Sequence, residues 1–143
     1  MLSVEVAATD EQMKAVYQVR VQVFVEEQQV PVELEVDEHE QASTHFLLHE
    51  EGRPLGAARL RMLDRIGKVE RVCVIDEQRG RGGGRLLMEE IERHALRCGA
   101  SKLKLHAQTH AAPFYARLGY EATTDLFEEA GIPHIGMEKI LAE

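Results

Sequence analysis

Cysteine is scarce in this chain: of 143 residues only Cys73 and Cys98 are thiols. One falls in a predicted strand and one in a predicted helix, and both are expected to be buried. Two thiols so placed argue against a disulfide framework and suit a reducing compartment, which makes the cytoplasm the expected location. Long apolar runs are also missing. No segment approaches the length of a membrane span, and Met1-Leu2-Ser3-Val4-Glu5 lacks the basic-then-apolar layout of a signal peptide, so no membrane partner is expected. Basic charge is short as well, with 17 Lys and Arg against 25 Asp and Glu and a net charge of −8. That balance argues against a nucleic-acid partner, which wants a basic face, and is compatible with a cationic small substrate. No Cys-x-x-Cys accompanies the seven histidines. The pairs His45/His49 and His106/His110 begin on predicted strands, where four residues span roughly 13 Å, too far for one ion to bridge, and no metal is expected. Repeats, linkers and low-complexity segments are absent too, so residues 1–143 read as one domain with a core of its own.

What is present is an alternation of strand and helix signals. Residues 3–8 alternate like a strand. Thr9-Asp10 with Gln12 reads as a helix cap, opening a helix to about Gln28 with the apolar stripe Met13, Val16, Tyr17 and Phe24. Arg20 and Glu27 fall on that same stripe, placing two charges inward. Residues 29–41, with Pro31 and the acids Glu33, Glu35, Asp37, Glu38 and Glu40, read as a loop or ragged short helix. They form either a solvated acidic surface or a rim that attracts a cation. Strands follow at 45–49 and 55–63, joined by the turn Glu50-Glu51-Gly52-Arg53-Pro54, and then at 68–75. Beyond residue 84, Leu87, Ile91, Ala95 and Cys98 recur at helical spacing, and Gly99 reads as the C-cap. A strand at 102–108, a short helix at 111–118 with Pro113 in its first turn, and a last strand at 134–141 complete the pattern. The order β-α-β-β-β-α-β-α-β describes an α/β fold on a single mixed sheet flanked by helices.

Gln78-Arg79-Gly80-Arg81-Gly82-Gly83-Gly84 lies where the third of those strands hands over to a helix. The first N–H groups of a helix are unpaired and its dipole favours negative charge there; glycines let such a backbone approach a bulky anion. The spacing fails the dinucleotide fingerprint, since the sixth position counted from Gly80 is Arg85. It fails the P-loop pattern as well, where Arg85 and Leu86 stand for its Gly-Lys. Read alone, the loop is an anion cradle or merely a tight connection.

Arg79-x-x-Gly82-x-Gly84, followed downstream by Phe114-Tyr115-Ala116-Arg117-Leu118-Gly119-Tyr120, resembles the GNAT superfamily of acyl-CoA-dependent N-acetyltransferases. Two further segments, Arg20-Val21-Gln22-Val23-Phe24-Val25-Glu26-Glu27-Gln28 and Gly131-Ile132-Pro133-His134, look like the ElaA/YjcF-like subgroup. The resemblance implies a single GNAT domain whose sheet splays open at the acetyl-CoA site. It implies transfer of an acetyl group from acetyl-CoA to a primary amine, a small molecule, directly within a ternary complex and without a metal.

Carried residue by residue, the resemblance implies pyrophosphate binding on the amides of Arg79, Gly80, Arg81, Gly82, Gly83 and Gly84, ahead of the helix that Arg85 begins. The pantetheine arm would pair with the strand at Val72, Cys73 and Val74, whose amides would also serve as an oxyanion hole. Phe114 and Gln108 join the cofactor contacts, Gln108 standing where relatives often carry Asn. Tyr115 matches the tyrosine that protonates the departing thiolate. Glu70 is the first candidate for the base that deprotonates the amine, with His106 and Glu27 behind it. The alternative for Glu70 is a structural pair with Arg59 or Arg61. Phe24 and Glu27, with Arg20, are expected to line the acceptor pocket; the alternative for Arg20 and Glu27 is a pairing with charges of opposite sign. Cys73 is expected to be a small core residue rather than an acyl carrier. Dimers are common in the resembled family, so a homodimer is a compatible assembly. A CoA-binding sensor without transferase activity is the alternative function, and a nucleotide-binding or structural α/β domain the third.

Overall fold

Thr9 caps the first helix through a reciprocal box. Its hydroxyl accepts from the Gln12 amide at 3.1 Å while the Gln12 side chain accepts from the Thr9 amide at 2.9 Å. In the computed structural model, which describes residues 1–141, the elements in chain order are β1 (Leu2–Val6), α1 (Asp10–Arg20), α2 (Val32–Glu35), β2 (Thr44–Glu50), β3 (Arg53–Leu63), β4 (Ile66–Val74), α3 (Gly83–Arg97), β5 (Lys102–Gln108), α4 (Ala112–Arg117), β6 (Glu121–Glu129) and β7 (Ile132–Ile140). The helix expected to run to Gln28 does so, but its last part, Val21–Glu27, winds as a π-helix. The wider turns shift the side chains that follow, and π-turns of this kind often mark functional positions.

The described residues form one seven-stranded sheet in the order β1-β2-β3-β4-β5-β7-β6, as the α/β expectation requires. Every neighbouring pair is antiparallel except β4 and β5. Helices cover both faces. On one, Leu87, Met88, Ile91 and Ala95 of α3 are buried against the central strands, and the Phe46 ring meets His94 edge-on. On the other, His45 lies against Tyr17 of α1. Gly67 leaves room for the side chain of Leu103, its partner on β5, since a Cβ there would stand 2.7 Å from it. Among the described residues no helix is long and apolar enough to cross a membrane.

Two expectations need correction here. β6 was missed: residues 121–129 form an edge strand nearly all of whose side chains are exposed, so it carries no apolar period to read. Cys98 is exposed rather than buried, because α3 ends at Arg97 and Cys98 sits in its cap; Cys73 alone is buried.

Candidate active site

β4 and β5 run side by side only from Ile66 opposite Lys102 to Val69 opposite Leu105. Beyond that point β4 stays with β3 as far as Val74, while β5 stays with β7 as far as Gln108. The two strands therefore part, and the β4 edge from Glu70 to Val74 has no strand beside it. At the parting, Arg71 and Val72 together face the single residue Ala58, a bulge in which Arg71 holds a left-handed backbone at φ +57°. A cleft of about 920 Å³ fills the opening. Val72, Cys73, Val74, Gln108 and Tyr115 line one part of it; Phe24, Leu34, Arg61, Lys68, Glu70 and His106 line the other.

The glycine loop stands beside this cleft. Gly80 and Gly82 are exposed and left-handed at φ +78° and +86°, with no atom within 4 Å of where a Cβ would be. Gly82 caps α3, a helix of 15 residues whose leading N–H groups start at Gly83. Gly83 and Gly84 are required for packing rather than for conformation: a Cβ would lie 2.6 Å from Leu48 at the first and 3.1 Å from Phe114 at the second. Open left-handed glycines followed by unpaired helix amides fit a pyrophosphate. Phe114 supports that loop from below rather than lining the cleft. The Arg79 side chain turns away from the loop, donating to the Val74 carbonyl at 3.0 Å and to both Glu27 oxygens at 2.6 and 2.7 Å.

Glu27 is therefore neither inward nor a free base. It sits half-exposed at the rim, and the Arg79 guanidinium holds its carboxyl below the ordinary value. Glu70 is tied more tightly. It accepts from Arg59 at 2.7 and 3.2 Å and from Arg61 at 3.1 and 3.4 Å. Burial works to raise its pKa, but the hydrogen bonds from Arg61 and Arg59 prevail and hold it low. A carboxylate so saturated has little affinity for an amine proton, so the structural reading of Glu70 stands and its assignment as base does not.

The acidic segment also differs from both expectations for it. Arg20, buried in α1, donates to Glu35 at 2.6 Å and to Glu40 at 2.7 and 2.9 Å. Arg59, with no exposed surface, spans Asp37 at 2.8 and 3.0 Å, Glu40 at 3.1 Å and Glu70. Arg71 closes the lattice, donating to the carbonyls of Glu35 at 3.0 Å and Leu34 at 3.1 Å and to Asp37 at 3.3 Å. Glu35, Asp37 and Glu40 are thus internal struts; of the five acids only Glu33 and Glu38 remain exposed. Arginine neighbours bring both Asp37 and Glu40 down to about 2 despite burial.

Three further groups complete the site. His106 is the first β5 residue past the parting, across from Glu70, and its Nδ1 lies 2.9 Å from Glu129 with its ring edge-on to Phe127. Gln108 exchanges two amide hydrogen bonds with Gln28, at 2.8 and 3.3 Å, so the first helix is tied directly to β5. Gln28 escaped sequence reasoning; the Arg-x-x-Val-Phe-x-x-Glu-Gln segment that ends on it was the available signal. Tyr115 is buried in α4 between Phe114 and Tyr120, and burial lifts its phenol well above the ordinary value. Burial likewise pushes the Cys73 thiol up to about 12. Among the described residues no three His, Cys, Asp or Glu side chains are grouped to hold a metal ion.

Residues 7–141 match the family model described as an acetyltransferase (GNAT) domain. The chain is 44% identical to the uncharacterized N-acetyltransferase YjcF of Bacillus subtilis, over 94% of this chain and 96% of that protein. Its structure superposes on that of an acyl-CoA N-acyltransferase from Pseudomonas aeruginosa with a TM-score of 0.84 at 30% identity, covering 97% and 98% of the two chains. For the crystal structure of Escherichia coli ElaA the TM-score is 0.87 at 28% identity, covering 97% and 99%. With the parted strands, the capped glycine loop and the Phe114-Tyr115 helix in place, this chain belongs to the GNAT acetyltransferase family.

Proposed function

We propose that this protein transfers the acetyl group of acetyl-CoA to the primary amine of a small molecule, directly and without an acyl-enzyme. The observation that carries the reading is the parting of β4 from β5, with the open amides of the α3 N-terminus on one side and Tyr115 in its wall. The free edge at Val72, Cys73 and Val74 suits an extended amide-bearing arm, which would pair with it as a strand does. Gly80 to Gly84 suit a diphosphate. Bound there, acetyl-CoA would supply an activated thioester.

The chain's own groups then have three tasks. An alkylammonium with a pKa of ~10.4 must lose a proton before its nitrogen attacks. We assign that step to His106, whose Nδ1 contact with the Glu129 carboxylate at 2.9 Å would orient the ring with Nε2 toward the amine. As the N–C bond forms and the C–S bond breaks, Tyr115 donates a hydrogen bond to the departing sulfur. Its raised pKa keeps it protonated, so it stabilises the thiolate rather than surrendering its proton to it. Cys73 stays a thiol at neutral pH and takes no acyl group.

Thiol release from acetyl-CoA across an amine panel tests the reading, with Tyr115→Phe as control. Turnover should fall by roughly tenfold to a hundredfold on losing one hydrogen bond to a charged sulfur, with acetyl-CoA affinity nearly unchanged. Tight CoA binding with no turnover on any amine would instead favour the sensor.

A further inference from the structure

The ion-pair lattice behind the acceptor side sets five cationic side chains against four carboxylates. Arg20, Arg59, Arg61, Lys68 and Arg71 converge on Glu35, Asp37, Glu40 and Glu70. The surplus falls on one spot. Arg61 and Lys68 lie directly opposite each other across β3 and β4, which brings their Cβ atoms to about 5 Å. Both point at Glu70, whose oxygens are already taken by Arg59 and Arg61. Lys68 Nζ is left at 3.9 Å from the nearer one, beyond hydrogen-bond reach, with its side chain 17% exposed. Arg61 engages Glu70 through Nε and Nη2, and among the described residues its Nη1 has no partner. Both side chains line the cleft.

We infer that the acceptor carries an oxyanion, carboxylate or phosphate, on the same small molecule as its amine, and that Arg61 Nη1 and Lys68 Nζ bind it. The inference rests on the acetyl-transfer reading above. Two neighbouring cations, one with its Nζ short of hydrogen-bond reach of Glu70 and the other with Nη1 unengaged, repel each other until an anion joins them. The acids of residues 29–41 offer a cationic acceptor no counter-charge, because Glu35, Asp37 and Glu40 are held by arginines. Seated on Arg61 and Lys68, the anion would stand beside Glu70 at the parting. The amine would then be directed along the opening toward His106 and the free β4 edge.

Matched pairs test this by calorimetry on the CoA-saturated protein: 4-aminobutyrate against 4-aminobutanamide, and O-phosphoethanolamine against ethanolamine. At least one anionic member should bind roughly tenfold or more tighter than its neutral partner, the worth of a charged hydrogen bond. Lys68→Gln should erase that preference and Lys68→Arg restore it. The pair that shows the preference identifies carboxylate or phosphate as the anion. Equal binding within both pairs, no binding of either anion, or a preference that survives Lys68→Gln overturns the inference. Thiol release with acetyl-CoA is read separately. An anion preference without turnover sinks the acetyl-transfer reading and leaves the anion subsite standing.

Discussion

Arg59→Met is the sharpest probe of the internal charge lattice. Arg59 is fully buried and touches three carboxylates, Asp37, Glu40 and Glu70. Methionine fills similar space but leaves those carboxylates to Arg20, Arg61 and Arg71 alone. Breaking a buried ion pair by removing one partner costs about 3–5 kcal/mol, because the other charge stays behind. For 143 residues the unfolding entropy is roughly 0.3 kcal/mol/K, so the melting temperature should fall by roughly 10–16 °C at pH 7. The pH dependence carries the stronger test. Asp37 and Glu40 have folded pKa values near 2, below their unfolded ones. The stability they contribute is present above pH ~4.5 and lost as pH falls toward 2. In Arg59→Met the same groups titrate higher in the folded state, so acid relieves the variant while it weakens the parent. The gap between the two should therefore narrow by about 1 kcal/mol or more from pH 7 to pH 4. Calorimetric melting of both proteins at the two pH values reads this directly. A penalty below about 1 kcal/mol at pH 7, or one unchanged at pH 4, would refute the lattice as a stability element.

Other substitutions address the donor side and the chemistry. Gly82→Val forces a β-branched residue to φ +86° with open space around it, so the strain of about 1–3 kcal/mol is local. The protein should fold but show no thermal shift with CoA; a retained shift would place the diphosphate elsewhere. Cys73→Ala should keep turnover within a few-fold, with no acetylated protein seen by mass spectrometry of the quenched parent; loss of turnover together with an acetyl adduct on the parent would restore a covalent route. His106→Gln should lower kcat/KM by roughly tenfold or more, and an unchanged kcat/KM would dismiss His106 as the base.

Much of the fold could be read from local signals because local physics decides it. The Thr9 box, the strand–glycine–helix passage and the Pro113 helix each depend on residues within one turn of one another. What escaped depends on partners far along the chain. The carboxylates of 29–41 look like a surface run because the arginines that neutralise them, Arg20, Arg59 and Arg71, come from α1, β3 and β4. The strand at Glu121–Glu129 was hidden for another reason: an exposed edge strand has no apolar alternation. Its one signal was the turn Ala130-Gly131, where both residues have positive φ and Glu129 pairs with Ile132. Of the candidate site, the glycine loop at the start of α3 and Tyr115 on the short helix were legible as positions. The pairing of Glu70 with Arg59 or Arg61 stood in the sequence beside the base reading, and the geometry decides between them, because neighbours and not position set its proton affinity.

The Arg71 bulge joins these two halves. A left-handed backbone at a non-glycine residue costs on the order of 1–3 kcal/mol and persists only where its surroundings over-determine it. Here the restraint is the Arg71 side chain itself, fixed on the carbonyls of Leu34 and Glu35 and on Asp37. Those acceptors belong to the acidic segment, and the same Asp37 is held by Arg59 from β3. The position of the β4 edge at Val72 to Val74, which the donor's arm would use, is therefore set by the segment that walls the acceptor side. The two parts of the cleft share one support, so a change in residues 34–37 reaches the β4 edge without touching it. That is why an acidic stretch that looks like solvent-facing loop belongs to the architecture of the site.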